Sequence, residues 1–257
     1  MMNAQQNAPR IEVPYLPESR IERAAEKIIA EYEYKFGVIE ELVIPLDEIA
    51  ESLCGLDLRN ANLSEMYGAN TLGAIHFERR EVRIDDSLNP DVHPDKIGRY
   101  RFTLAHELGH WVLHEPVYRA RRQQASLFDA QDDIPVVCRI PQRRHIYPPI
   151  EWQANYFAGC LTMPYPRVMR AWEIARGTRA PYIAINEANA MRARWTLAED
   201  TTPTLAVSRN IADLLKVSAQ AMQIRLCALN LIRFEAPVPQ LLSTREIEAS
   251  YGAPGGP

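Results

Sequence analysis

Three observations predict an α+β fold. Residues 73–85 hold two short stretches of alternating polarity joined by the charged turn Glu78-Arg79-Arg80, which reads as one antiparallel hairpin. The flanking segments place apolar residues at the i, i+3, i+4 spacing of half-buried helices. The predicted strands are gathered in one region instead of alternating with helices, so a small sheet with helices packed on it is expected. A chain of 257 residues, 47% of them hydrophobic, can bury a sizeable core as one large or two smaller domains. Its net charge of -4 argues against wholesale nucleic-acid binding, though not against a local basic patch. Cys54, Cys138, Cys160 and Cys227 form no CxxC pair and read as reduced thiols; Cys160 is expected to be buried. Met1 to Arg10 lack an apolar leader, and no run approaches the roughly 18 apolar residues of a membrane span, so a cytoplasmic protein is expected.

Taken in order, residues 1–18 with Pro14 and Pro17 read as a flexible arm. A helix follows from Ser19 to Lys35, its apolar stripe formed by Ile21, Ala24, Ala25, Ile28 and Ile29, and Gly37 ends it. A second helix spans Leu46 to Leu53 and stops before Gly55. The hairpin pairs Gly73-Ala74-Ile75-His76-Phe77 with Glu81-Val82-Arg83-Ile84-Asp85; His76 reads as an ordinary strand residue, with a place lining a cleft as the alternative. Ile97, Phe102, Leu104, Ala105 and Leu108 then mark a helix that continues through Trp111, Val112 and Leu113. Asp91 or Asp95 is expected to cap it, and Pro116 to stop it just after Glu115.

That helix carries His106-Glu107-Leu108-Gly109-His110. Two histidines four apart sit one above the other, about 6 Å between turns, so both imidazoles can reach one zinc ion. Zinc brings the pKa of a bound water to roughly 7, and a carboxylate beside that water can take its proton during attack on a peptide carbonyl. A third ligand is needed. His114 continues the series but lies a further turn along, too far for the same ion, and is expected to face the dipole at the helix C-terminus. Glu151 and Asn155 share one face of a second helix opening after Pro148-Pro149. Glu151 can complete a His, His, Glu set while Asn155 holds an imidazole from behind; the competing reading is an ordinary first-turn glutamate favoured by the helix dipole.

Phe102-Thr103-Leu104-Ala105-His106-Glu107-Leu108-Gly109-His110, followed by Glu151-xx-Ala154-Asn155-x-Phe157-Ala158 and Leu161-Thr162-Met163-Pro164, resembles the ImmA/IrrE zinc metallopeptidases. The resemblance spans residues 38 to 170, with a weaker match at 205 to 234. It takes in Ile44-Pro45-Leu46-Asp47-Glu48-Ile49-Ala50 as the family's opening helix and the two hairpin segments as its short strands. It implies a zincin-like domain, zinc held by His106, His110 and Glu151, and Glu107 as general acid and base. The implied substrate is a helix-turn-helix transcriptional repressor. The departure is the long connection from Glu115 to Pro148, rich in arginine and proline, which reads either as a lid or substrate-binding loop or as a disordered segment. His145 and Tyr147 at its end are candidate oxyanion donors.

Between Gly177 and Thr204, Asn186 to Ala198 reads as a helix with Met191 and Trp195 packed into the core from one face. Ile211 to Leu226 has the spacing of a helix-turn-helix: Val217-Ser218 opens the second helix as a cap, Met222 and Leu226 turn inward, and Gln220, Gln223 and Arg225 are presented outward. Such a unit either reads DNA or packs against the preceding domain; the lack of clustered basic residues favours packing. The expected organisation is an arm (1–18), a peptidase domain (19–176, with 115–148 inserted), a helical region (177–240) and a tail (241–257). The expected activity is zinc-dependent endopeptidase. The alternative is a DNA-binding regulator or partner-binding scaffold with a structural or latent metal site.

Overall fold

The computed structural model describes residues 13–124, 135–139, 148–196 and 202–234. Helix α1, Glu18–Phe36, turns Ile21, Ala25, Ile28 and Tyr32 inward and ends at Gly37, whose φ of 105° suits glycine, as the periodicity predicts. The second predicted helix is a single α-turn, α2 (Leu46–Glu48), that widens into a π-helical turn over Ile49–Leu53. Strand β1, Asp57–Ala61, and the short helix α3, Leu63–Tyr67, precede the hairpin of β2, Thr71–His76, and β3, Glu81–Asp85. The hairpin is antiparallel, with Gly73 opposite Ile84 and His76 opposite Glu81. His76 is buried, its ring 3.1 Å from the Tyr67 hydroxyl, as befits a satisfied strand residue.

Helix α4 runs from Ile97 to Gln124, well past Pro116. It is entered through a 3-10 turn, Pro94–Lys96, preceded by His93 without a side-chain cap, so neither Asp91 nor Asp95 serves as the predicted cap. Proline costs one helical hydrogen bond and crowds the preceding turn. Contacts with the hairpin offset this: Tyr118 packs on Phe77 with ring centroids 4.9 Å apart and Arg122 reaches Glu78 at 3.1 Å, while Arg119 pairs with Glu115 one turn back in the same helix. The connection to the next helix is therefore structured in part. Val136–Arg139 forms β4, and the four-stranded sheet has the order β1-β3-β2-β4, with β1 parallel to β3 and β4 antiparallel to β2.

Helices α5, Pro149–Thr162, and α6, Tyr165–Arg176, follow, then β5 (Tyr182–Ile183), α7 (Ile185–Trp195), α8 (Ala206–Leu215), α9 (Ala219–Ala228) and β6 (Ile232–Arg233). Strands β5 and β6 pair in parallel. Among the described residues, most of the buried hydrophobic side chains fall into two clusters. One joins α1, α4 and α5 to the sheet through Ile21, Ile75, Ile84, Leu104, Leu108, Phe157 and Leu161. The other gathers Trp172 of α6 with Ile211 and Leu215 of α8 and Met222 and Leu226 of α9. Each fully buried Leu, Ile or Phe contributes roughly 1.5–3 kcal/mol.

Two expectations about the C-terminal part are corrected. Met191 is partly buried against the second cluster, but Trp195 is 62% exposed, because the helix ends at its own position and Thr196 turns the chain away in a left-handed conformation. Ser218 does cap α9, accepting from the Ala221 N–H, but Gln223 and Arg225 point inward. Gln223 Oε1 accepts from Leu205 N at 2.7 Å, and its amide donates to Pro203 O at 2.9 Å. Arg225 donates to Met163 O at 3.1 Å and to Glu22 of α1 at 2.7 Å. These side chains bind the helical pair to the rest of the molecule and are not free to read bases. The exposed residues of α9 are Gln220 in its first turn, Ile224 and Ala228.

Candidate metal centre

Helices α4 and α5 pack closely because Gly109 has no side chain: a Cβ there would lie 3.1 Å from Ala154 Cα. That approach brings the start of α5 over the histidine face of α4. His106 Nε2 and His110 Nε2 are 2.9 Å apart. Glu151 Oε2 lies 3.3 Å from the first and Oε1 lies 3.5 Å from the second. Donor atoms about 2.1 Å from a tetrahedral ion stand about 3.4 Å from one another, so the two Glu151 distances match one ion and the His106–His110 distance of 2.9 Å is about half an ångström short of it. His106 and His110 are buried, while the Glu151 side chain is 22% exposed and forms the open side.

A metal ligand must offer a bare nitrogen, and the hydrogen bonds behind the rings provide it. His106 Nδ1 lies 3.0 Å from Asn155 Oδ1, which can accept its proton and leave Nε2 free. The chain behind His110 is longer. Gln153 donates its amide to the Pro14 carbonyl at 2.8 Å, which turns Oε1 toward His114 Nε2, 3.0 Å away. A carbonyl only accepts, so the Gln153 orientation is set, and His114 must carry its proton on Nε2. His114 Nδ1 then accepts from His110 Nδ1 at 3.0 Å, and His110 Nε2 is bare. Burial, reinforced by His106 and His114, holds His110 well below the ordinary histidine range, and burial brings His114 down to about 4. Both rings are therefore held neutral at neutral pH.

His114 thus does not face a helix C-terminus. The helix continues for ten residues, and His114 is fully buried beneath the site, too far along to join the ligand set but in place to orient His110. Gln153, Pro14 and the orienting role of His114 escaped the sequence reading. Gln153 sits two residues after Glu151, which is the one signal that could have marked it. His145 and Tyr147 lie outside the described residues.

Glu107 projects from α4 toward the sheet. It is fully buried, and neither carboxylate oxygen has a hydrogen-bond partner among the described residues. Burial, and then the neighbouring Glu151, raises its pKa well above the usual carboxylate range. Strand β2 can lie against this carboxylate because residue 73 is glycine: a Cβ would overlap Glu107 and come within 2.8 Å of the Thr103 methyl. Cys138 of β4 approaches from the adjacent strand, its sulfur, a His106 ring nitrogen and a Glu107 oxygen all within 4.8 Å of one another. Burial, then Glu107 and Glu151, pushes its thiol well above the ordinary range.

The donor set of two imidazoles and a carboxylate, with a carboxylate beside it that has no hydrogen-bond partner among the described residues, fits a divalent metal ion. No family model matches this chain, and no curated protein matches it. No helix among the described residues is long and apolar enough to cross a membrane.

Proposed function

We propose that the protein is a zinc-dependent endopeptidase and that its substrate is a helix-turn-helix transcriptional repressor. The observation that carries the reading is the coincidence of three convergent donor atoms on His106, His110 and Glu151 with the buried, unpartnered carboxylate of Glu107. Structural zinc sites use four protein ligands and need no carboxylate alongside; a set of three with an adjacent base is the arrangement of a hydrolytic site. Zinc held there supplies a Lewis acid that polarises a peptide carbonyl and acidifies a water. Glu107, buried beside the donor set, takes the proton of the attacking water and returns it to the leaving amine. His114 and Asn155 hold the two imidazoles, and Gln153 holds His114. The repressor as substrate rests on the resemblance of the paired motifs to ImmA/IrrE peptidases.

The decisive experiment combines zinc content with cleavage of a co-expressed repressor encoded nearby, for wild type, Glu107→Gln and Glu151→Ala. Glu107→Gln is expected to keep zinc and lose cleavage, and Glu151→Ala to lose zinc. Undiminished cleavage by Glu107→Gln sinks the catalytic assignment.

A further inference from the structure

We propose that β4 is a self-occupying strand: Val136–Arg139 holds the position in which an extended peptide substrate pairs with β2, and the site cleaves only when β4 has left it. The inference rests on the peptidase reading above and adds its regulation.

The sheet leaves a peptide little choice of edge. Extended peptides commonly bind by adding to a sheet edge. Strand β2 is the one against the base, since a Cβ on Gly73 would overlap Glu107. One side of β2 is taken by β3 and the other by β4. Strand β4 runs antiparallel to β2 with Cys138 opposite Gly73, and directly paired residues project from the same face of a sheet. The Cys138 sulfur accordingly lies within 4.8 Å of a Glu107 oxygen and of a His106 ring nitrogen, on the Glu107 side of the donor set. A scissile carbonyl has to reach both the ion and the water that Glu107 deprotonates, so β4 and a substrate paired with β2 exclude each other.

Two further observations mark β4 as removable. Its seat is shallow: Val136, Val137 and Cys138 are half-buried, whereas β2 and β3 are buried at most positions. Its register is also broken at the site. Between the Thr71–Arg139 and Gly73–Cys138 pairs β2 carries one residue more than β4, while the β2–β3 ladder runs without a shift from Gly73 to His76. Bulges gather at sheet edges and beside active sites, where they disrupt or end pairing. A short, half-buried edge strand opens at lower cost than the core strands beside it.

The test pins or loosens β4 in the full, zinc-loaded chain. Ala74 and Val137 are paired on the face away from Glu107, so Ala74→Cys/Val137→Cys sets two thiols at disulfide distance outside the site. Oxidised with glutathione disulfide, this variant is expected to keep zinc and lose cleavage of the repressor, and a phosphine reductant is expected to restore it. Val136→Pro/Val137→Pro removes whichever of two successive N–H groups faces β2. If β4 covers the site about nine-tenths of the time, the proline variant cleaves about tenfold faster than wild type, where damage to the fold would slow it. Calorimetry with a peptide hydroxamate reads β4 without turnover: binding is expected in the reduced cysteine variant and lost in the oxidised one. Equal cleavage by the oxidised and reduced forms overturns the role of β4 and leaves the peptidase standing. A zinc-loaded wild type that does not cleave, while hydroxamate binding still follows the state of β4, overturns the peptidase and leaves the role of β4. Hydroxamate binding that is the same in both forms overturns the role of β4.

Discussion

The α4–α5 pair and the α8–α9 pair each carry a motif visible in sequence, and each buries polar side chains, yet they use them in opposite ways. At α8–α9, Gln223 and Arg225 have partners: their bonds go to backbone groups, the Ser208 hydroxyl and the Glu22 carboxylate, and the result is a joint between helices. At α4–α5, His106, His110 and Glu151 turn their acceptor atoms toward one shared point, and Glu107 beside them has no partner among the described residues. Folding alone disfavours such convergence, because like acceptors repel and an unmet buried carboxylate is costly. Satisfied polar burial marks architecture; unsatisfied, convergent polar burial marks a ligand site.

The contrast can be broken most directly at Glu107. Glu107→Gln should lower repressor cleavage by about 10²–10⁴-fold, the usual worth of a positioned general base, with metal content unchanged. A smaller effect would make Glu107 another architectural residue. The next test uses pH. The His114 pKa of about 4 in the fold lies below its ordinary 6.5, so between these values the unfolded chain holds a proton that the folded chain refuses. Its stabilising contribution is complete above pH 6.5 and is lost as pH falls toward 4, on the order of 3 kcal/mol. His110 shifts in the same direction. Thermal unfolding of metal-free wild type should show this decline, and His114→Gln should flatten it.

Gln153→Ala removes the group that sets the His114 tautomer, and about 10–100-fold weaker zinc binding is expected in competition with a chelator. Unaltered affinity would mean that the chain from Pro14 to His110 does not position the ring. The smallest effect is expected in the other pair. Arg225→Met should cost about 2 kcal/mol in denaturant unfolding, by stranding Met163 O and Glu22, while leaving zinc affinity and cleavage alone. A loss of cleavage matching that of Glu107→Gln would erase the distinction between the two pairs.

The central residues were legible because helical geometry converts sequence spacing into position. His106 and His110 had to share a face, and Asn155 had to follow Glu151 by one turn. The hairpin was legible for the same reason, from a period of two. The extension of α4 past Pro116 was not, since the contacts of Tyr118 and Arg122 that outweigh the proline lie with Phe77 and Glu78, some forty residues earlier in the chain. Strands β1 and β4 were missed because neither carries clear alternation; each is defined by the neighbour it pairs with. Gln223 and Arg225 were placed outside because a helical wheel ranks polarity without knowing what stands opposite.

Local order along the chain was enough to specify the element types around the site, the His-Glu-His face and the inward Met222 and Leu226, since all of these follow from periodicity within a single helix or hairpin. The meeting of Glu151 with two histidines more than forty residues earlier, the tautomer of His110 and the arrival of Cys138 over Glu107 needed the packed molecule. They depend on how closely Gly109 and Gly73 let separate elements approach, and on hydrogen bonds that run from the Pro14 carbonyl across the core. Chain spacing carries no record of such distances, because they arise only when side chains from remote segments fill the same volume.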